Sequence, residues 1–509
     1  MLRRVLPAAN AIFLGHVIVR LGSLVLVPLF LRFWSPVSYG EYVALFAAVG
    51  YLASLDIGMQ WAAVNRLTQA YARNDLDEYR TVQHSSLLFY LVISAGVTLL
   101  VTSLVWFLPV SRWIGLRVTT PTTATLVIIL LAGYVMWCMP MRLIIATYQT
   151  MGNLARSQWL ANAQQLLVVL LSALALILGG GMLAIASLQI LTVGLLSLFA
   201  LLDVHRRFPP LFPGIAKAKL SSLRELASPS LLFALLVLGN LIAYQGSILL
   251  VSAALGGLAV AVLSVTKAIV DVVRQGLYSI NLALCPDFAR MEAIGDFEKL
   301  RVVHRITVAA VAAITLAVAA SVWYEGASII TVWTRGRIEP DVTLLRLFLV
   351  LMAFQTPWAA SSTVATATNR HKVQAFGYFF SAVVGIGLVK ALLPSLGAWA
   401  VPVGLTLGEA IGCYHFVIKA TCRIIGESYV AFAVRFWVGF AAVAAAGMSA
   451  GWMIHHMMPG PLLVRWVTMG FSTLALAVAC GWFVWLTPED RAMFLPRFRI
   501  ALGLHGVGA

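Results

Sequence analysis

The sequence predicts an all-α integral membrane protein of about fourteen transmembrane helices, arranged as two pseudo-symmetric six-helix lobes plus two C-terminal helices. Three observations predict it. First, 61% of the 509 residues are hydrophobic and only 11% are charged, whereas a soluble domain carries about 25% charged residues. Mean hydropathy is +0.93. Second, apolar runs long enough for a helix to cross a bilayer recur along the chain. Some are continuous, such as LLVVLLSALALIL over Leu166–Leu178, unlike the alternating pattern of a membrane barrel. Third, the basic residues fall between these runs in a one-sided way.

The helices are expected near 8–33, 40–65, 82–109, 122–149, 157–179 and 182–203, then 229–255, 257–285, 304–325, 341–366, 373–394 and 398–420. Two more follow at 430–454 and 462–486. The run from Ala8 to Phe33 is too long for a signal-peptide core and reads as the first span. With the N-terminus inside, about 22 Lys and Arg fall on cytoplasmic segments against about five outside, a strong bias under the positive-inside rule. The net charge of +16 is thereby explained by topology and anionic lipid, not by nucleic acid.

The longest polar connection, HRRFPPLFPGIAKAKLSSLREL from His205, divides the chain. The expected organisation is an N-lobe at 1–204, a basic cytoplasmic linker at 205–228, a C-lobe at 229–421, and helices 13–14 with a cytoplasmic tail at 422–509. An internal repeat supports the lobes. ARNDLDEYRTV from Ala72 matches AIGDFEKLRVV from Ala293, with Asp75 and Asp296 at an offset of 221. GNLARSQ from Gly152 aligns with TNRHKVQ from Thr368, with Asn153 and Asn369 at an offset of 216. Both members of each pair are expected on the same side, so the repeat is parallel, as in transporters built from two like halves. Pro140 and Pro357 lie at nearly the second offset and mark interruptions in matching helices.

Ionisable residues inside the spans carry the sharpest functional signal. Each costs about 2.5–3.5 kcal/mol on insertion scales and so needs a cavity or a partner. Arg20 lies mid-way along helix 1, one turn from His16. Asp56 is on helix 2, Arg142 on helix 4, Glu409 on helix 12 and Arg435 on helix 13. Helix 8 carries Lys267, Asp271 and Arg274 on one face, because residues three and four apart are neighbours on a helix. One carboxylate between two cations leaves that face net positive. Arg20, Lys267 and Arg274 are therefore expected to line a cationic cavity for an anionic ligand, with an internal packing network as the alternative. Asp56 is expected to cap a break near Gly58 or to pair with Arg142. Glu409, between Gly408 and Gly412, is a candidate for a coupling H+ or Na+. Arg346 and Lys390 lie near helix ends and are expected to snorkel. His455 and His456 read as interfacial.

Other chemistries lack their motifs. There is no GxxxxGK[ST] loop, HExxH or GxSxG. The five cysteines show neither CxxC nor Cys/His spacing, so no metal and no bound cofactor are expected. The outer loops near Pro109–Pro121 and Glu325–Pro340 are short for an enzyme that builds glycans.

The stretch VPLFLRFWSPVSYGEYVALFAAVGYLASLDIGMQWAAVNRLTQAYARND, Val27 to Asp75, resembles the polysaccharide-transport family of lipid-linked oligosaccharide and O-antigen flippases. That family belongs to the multidrug/oligosaccharidyl-lipid/polysaccharide exporter superfamily. The resembling features are proline in helix 1, Tyr-Gly before helix 2 and Leu-Asp-Ile-Gly near its inner end. The resemblance implies a V-shaped pair of lobes working by alternating access in the bacterial cytoplasmic membrane, with both termini inside. It implies a non-enzymatic flippase for an isoprenoid-diphosphate-linked oligosaccharide, with glycosyltransferases or a glycan polymerase as pathway partners. In the related peptidoglycan-precursor flippases, basic residues on helices 1 and 8 face the cavity, as Arg20, Lys267 and Arg274 would here. A drug/cation antiporter, a membrane glycan polymerase and a non-transporting scaffold are the competing functions.

Overall fold

The computed structural model describes residues 2–56, 59–227 and 231–492. Among them every regular element is helical, as a bilayer demands, because a helix satisfies its own backbone hydrogen bonds. The chain resolves into two compact units, Met1–Val265 and Thr266–Ala509.

The first unit comprises α1 (Leu2–Phe33), α2 (Pro36–Gly50), α3 (Met59–Ala72), α4 (Leu76–Phe107), α5 (Val110–Ile114), α6 (Pro121–Thr150), α7 (Leu154–Ile177), α8 (Met182–Arg207), α9 (Leu220–Ala227) and α10 (Leu231–Leu255). It also holds the first turns of α11 (Gly257–Ala283). The unit thus takes in α10, which packs on α2 and α5, as well as the segment expected as the N-lobe. The second unit holds the rest of α11, then α12 (Cys285–Ala293), α13 (Phe297–Thr334), α14 (Val342–Ala367), α15 (Lys372–Leu396), α16 (Ala400–Glu409), α17 (His415–Ile425), α18 (Tyr429–Met457) and α19 (Leu462–Val484).

Ten helical stretches are long and apolar enough to cross a membrane by length and composition. Residues 372–425 form one of these stretches, although a 3-10 turn at Gly397–Trp399 divides it. α11 exceeds the charge limit for such a span, and the region of helix 2 is discontinuous. Fourteen spans remains an expectation.

The starts of the helices follow local chemistry. Ser35 and Thr120 cap α2 and α6, each with proline in the first turn. Asp75, Asn153, Asp296, Asp341 and Ser428 cap α4, α7, α13, α14 and α18.

One sequence expectation changes here. The continuous helix at 40–65 is broken: the α-helix ends at Gly50, a 3-10 turn runs over Tyr51–Asp56, and α3 begins at Met59. The basic connection folds against α4, where Arg80 Nε donates to the Pro210 carbonyl (3.1 Å), Gln83 Nε2 to the Leu211 carbonyl (3.1 Å) and the Lys219 amide to Ser85 Oγ (2.8 Å).

The repeat is visible in the turns of each unit. Asp75 caps α4 after left-handed Asn74 (φ 57°), and Asp296 caps α13 after left-handed Gly295 (φ 75°), at the expected offset. The second pair needs a correction of one residue. Asn153 caps α7, whereas Asn369 is itself left-handed (φ 55°) and corresponds to Gly152 (φ 76°). The geometric offset is therefore 217 (Gly152 to Asn369), the same as from Pro140 to Pro357. A hydrogen bond repeats at that offset: Gln149 Nε2 to Ser157 Oγ (2.9 Å) and Thr366 Oγ1 to Gln374 Oε1 (3.0 Å). In the second turn, burial holds the imidazole of His371 below its ordinary value.

Candidate functional site

The charged face of α11 forms as its spacing predicts. Lys267 Nζ pairs with Asp271, and Arg274 Nη2 lies 3.0 Å from Asp271 Oδ1. The three side chains are half-buried, at 19%, 27% and 23% exposure for Lys267, Arg274 and Asp271. One carboxylate is shared by two cations, so the trio keeps one net positive charge. The i,i+4 and i,i+3 pairing holds the three side chains on one face of α11.

Glu409, the last residue of α16, is buried at 5% exposure. Its carboxylate accepts from Gln355 Nε2 (2.6 Å) and Trp358 Nε1 (3.0 Å), which flank Pro357 on α14. Glycines bring it there. A Cβ on Gly408 would stand 2.6 Å from the Ser381 carbonyl oxygen, and one on Gly412 would stand 2.6 Å from Ser381 Cα, so α15 and the α16–α17 segment touch backbone to backbone. A π-helical turn at Ala410–Tyr414 follows Glu409 directly, and such bulges concentrate at functional sites. Arg274 lies within electrostatic reach of Glu409.

In the first unit, Asp56 Oδ1 accepts from the Tyr90 hydroxyl at 2.5 Å. The expected pairing of Asp56 with Arg142 does not form among the described residues, because the tyrosine takes that carboxylate. The cap at Gly58 lies outside the described residues. Arg142 is exposed on α6, although Met141 and Leu143–Tyr148 around it are buried. It stands near Tyr90, Tyr134 and Cys138. The side chains of Arg20 and His16 lie outside the described residues.

Sequence reasoning missed three groups of partners. Glu325, placed in an outer loop, is fully buried inside α13. Its carboxylate meets His455 Nδ1 (2.9 Å) and Arg465 Nη2 (3.2 Å), so His455 is a packing partner and not merely interfacial. Arg305 binds Glu427 (Nη2 to Oε1, 2.8 Å) and Asp490 (Nη1 to Oδ1, 3.3 Å), and Arg435 approaches Glu427 at 3.7 Å. Glu41 is fully buried on α2 and accepts from the backbone of residues 117–119. Glu41 and Glu325 each stand beside an aromatic and a small residue near a span's end, a sequence signal that Arg305 and Asp490 lack. The Arg346 guanidinium lies over the Trp323 ring at 4.9 Å.

Long apolar helices, two compact units with matching turns and half-buried charges inside the spans define a multi-pass membrane protein of the transporter class. The chain belongs to the polysaccharide biosynthesis protein family, whose model matches residues 8–292. Its fold is that of the multidrug/oligosaccharidyl-lipid/polysaccharide exporters. An inward-facing multidrug resistance MATE family transporter of the MOP superfamily is similar at a TM-score of 0.69 and 15% identity, over 80% of this chain and 94% of that one. The lipid II flippase MurJ, in an inward closed conformation, is similar at 0.69 and 11%, over 93% of this chain and 98% of that one. A MATE structure in the straight conformation is similar at 0.57 and 17%, over 82% and 96%. Among curated proteins none matches in sequence.

Proposed function

We propose that this protein is a flippase that carries an isoprenoid-diphosphate-linked oligosaccharide from the cytoplasmic to the outer leaflet of a bacterial cytoplasmic membrane, for cell-surface polysaccharide synthesis. The observation that carries the reading is the trio Lys267–Asp271–Arg274, one carboxylate between two cations, half-buried on an otherwise uncharged helix. A buried excess of positive charge is costly unless an anion offsets it, and a diphosphate on the lipid carrier does so. Arg142 is a further exposed cation in the first unit, and Arg20 on α1 is proposed as a substrate-binding cation as well. The family membership points the same way, and the similarity to a lipid II flippase supports a lipid-linked cargo. The cationic groups disfavour an antiporter of organic cations, which needs an acidic cavity.

Glu409 is proposed as the coupling residue for H+ or Na+, and glycosyltransferases or a glycan polymerase as pathway partners. The chain moves its substrate without chemically altering it. Both termini face the cytoplasm, so cysteines placed at Ser221 and Gly295 are shielded from impermeant thiol reagents in intact cells, and one at Glu339 is labelled.

The test is reconstitution. Purified protein in liposomes moves a fluorescent isoprenyl-diphosphate oligosaccharide between leaflets and returns it unchanged. A longer or cleaved glycan makes the protein an enzyme. No movement, with the protein correctly inserted, removes the flippase reading.

A further inference from the structure

The repeat extends to a clasp on the first turns of α4 and α13. Arg80 Nε donates to the Pro210 carbonyl, and Arg301 Nε, its counterpart at the offset of 221, donates to the Ile425 carbonyl, both at 3.1 Å. Each arginine thus holds the chain just after α8 or at the end of α17. Beyond the clasp the units differ. In the second unit the next helix, α18, starts at Tyr429, almost at once. In the first unit α10 does not start until Leu231. The fold therefore closes without a segment like 211–230, and those residues are surplus to the clasp.

The surplus segment is held by its backbone. Gln83 donates to the Leu211 carbonyl, His84 Nδ1 accepts from the Lys217 amide (3.1 Å) and Ser85 Oγ accepts from the Lys219 amide. Leu211, Pro213 and Ser222 are buried on this inner side. The outer side is left to other side chains. Phe212, Ile215 and Leu220 are 40%, 54% and 67% exposed. Arg207 and Lys217 pair with Asp203 and Asp77. Arg206, Lys219 and Arg224 are exposed, and among the described residues none of the three meets a carboxylate. The outer side also continues a membrane-facing surface. Leu195, Leu198, Phe199 and Leu202 are exposed along one face of the apolar span α8. His205 and Arg206 extend that face by one turn, and the Phe212 ring stands edge-on to the His205 ring at 5.1 Å.

We infer that residues 206–224 form an interfacial strap that docks on an anionic lipid surface, with Phe212, Ile215 and Leu220 among the headgroups and Arg206, Lys219 and Arg224 on lipid phosphates. Exposed apolar side chains mixed with unpaired cations are the chemistry of a segment that lies in the membrane interface. Continuity with the exposed face of α8 puts lipid, and not an acidic protein, beside Phe212. In the proposed orientation the cytoplasmic leaflet supplies the negative charge. The strap is bolted to α4 along its backbone and to α3 through the ion pair of Glu225 with Arg66. Its lipid contact therefore sets the depth of those helix ends in the membrane. The inference needs the chain to span a membrane and does not depend on what it carries.

The test uses the full-length chain with its five cysteines replaced, held in lipid nanodiscs whose two faces are both open to an uncharged, polymer-linked maleimide. Ile215→Cys is the probe, and Ala72→Cys, at the exposed end of α3, is the reference. Their ratio of labelling rates cancels any effect of the lipid on the reagent. In discs of phosphatidylcholine with about 30% phosphatidylglycerol, that ratio is at least about fivefold lower than in phosphatidylcholine alone. About 0.5 M salt restores it, because the attraction is screened. Replacing Arg206, Lys219 and Arg224 together by Gln removes the difference between the two lipids. Equal ratios in the two kinds of disc, whether high or low, overturn the inference. So does protection of Ile215→Cys in native membranes that is absent from anionic discs, which assigns the surface to a protein. Should the triple variant fail to accumulate, the lipid comparison in the chain that keeps its cations decides alone.

Discussion

Two helix assemblies, one in each unit, are held together in opposite ways. In the second unit α13, α18 and α19 are fastened near both ends. Glu325 meets His455 and Arg465 at one, and Arg305 meets Glu427 and Asp490 at the other. Between them Tyr324 donates to the Met448 carbonyl and Thr473 to the Ala317 carbonyl, both at 3.1 Å. In the first unit the turn between α10 and α11, residues 252–257, meets α2 and Gly115 in close packing at Gly40, Gly115 and Gly257, with no hydrogen bond or ion pair across it among the described residues. Charged side chains buried in pairs are costly to separate, whereas a van der Waals contact is recovered whenever the surfaces meet again. The difference is between an assembly fastened by buried charge and one held by close backbone packing.

The comparison breaks first at Arg305. Arg305→Ala leaves Asp490 buried without its cation and Glu427 with only the more distant Arg435, their side chains 1% and 4% exposed, and is expected to cost about 3–5 kcal/mol. Steady-state abundance and the midpoint of thermal unfolding in detergent report it. Normal values for both make the α13–α18–α19 fastening decorative.

Next is Glu41→Gln. It replaces one acceptor oxygen with an amide that faces N–H donors, and is expected to cost about 1–3 kcal/mol. The loss is read as proteolytic sensitivity in the 115–120 loop, with cleavage elsewhere unchanged. A protein as resistant as the parent detaches Glu41 from any fastening role.

Arg274 then tests whether every ion group in the second unit is a fastener. Arg274→Ala is expected to lower glycan export at least tenfold, about 1.4 kcal/mol, at normal abundance. Arg274→Lys keeps part of the activity, and Asp271→Asn is milder because both cations remain. If Asp271→Asn instead depletes the protein more than Arg274→Ala does, the trio belongs with the fasteners.

The smallest effect is on the repeat itself. Asp75→Ala and Asp296→Ala each remove one helix cap and are each expected to cost about 1 kcal/mol. Thermal midpoints that differ markedly between the two variants make the turns unequal despite their matching geometry.

Much of this was readable from the chain. Helix positions followed from apolar runs, because lipid leaves the backbone no other way to satisfy itself. The α11 trio was readable because its partners lie three and four residues apart. The Asp75/Asp296 turns were readable because capping is local. What stayed hidden depends on distant partners. Glu325 and His455 lie 130 residues apart, and Arg305 and Asp490 lie 185 apart, so neither pair leaves a periodic trace. The one-residue misalignment at Asn153/Asn369 arose because asparagine serves both as an N-cap and as a left-handed residue. The break at residues 51–56 was partly foreseen from Asp56, but its 3-10 form has no sequence signature. Glu41 follows the Tyr-Gly that marks the start of α2, yet nothing in its surroundings names the loop that holds it.

The internal pairing of α11 also bears on how the chain is made. Lys267, Asp271 and Arg274 neutralise one another within a single helix. That helix enters the bilayer from the insertion machinery with most of its charge already compensated, whatever has or has not been synthesised after it. Glu325 has no such provision. Its partners emerge 130 and 140 residues later, so a nascent chain halted after α13 holds that carboxylate without them. Biogenesis of the second unit is therefore completed only when α18 and α19 arrive, and chains truncated before them are exposed to membrane proteases with that span unfinished.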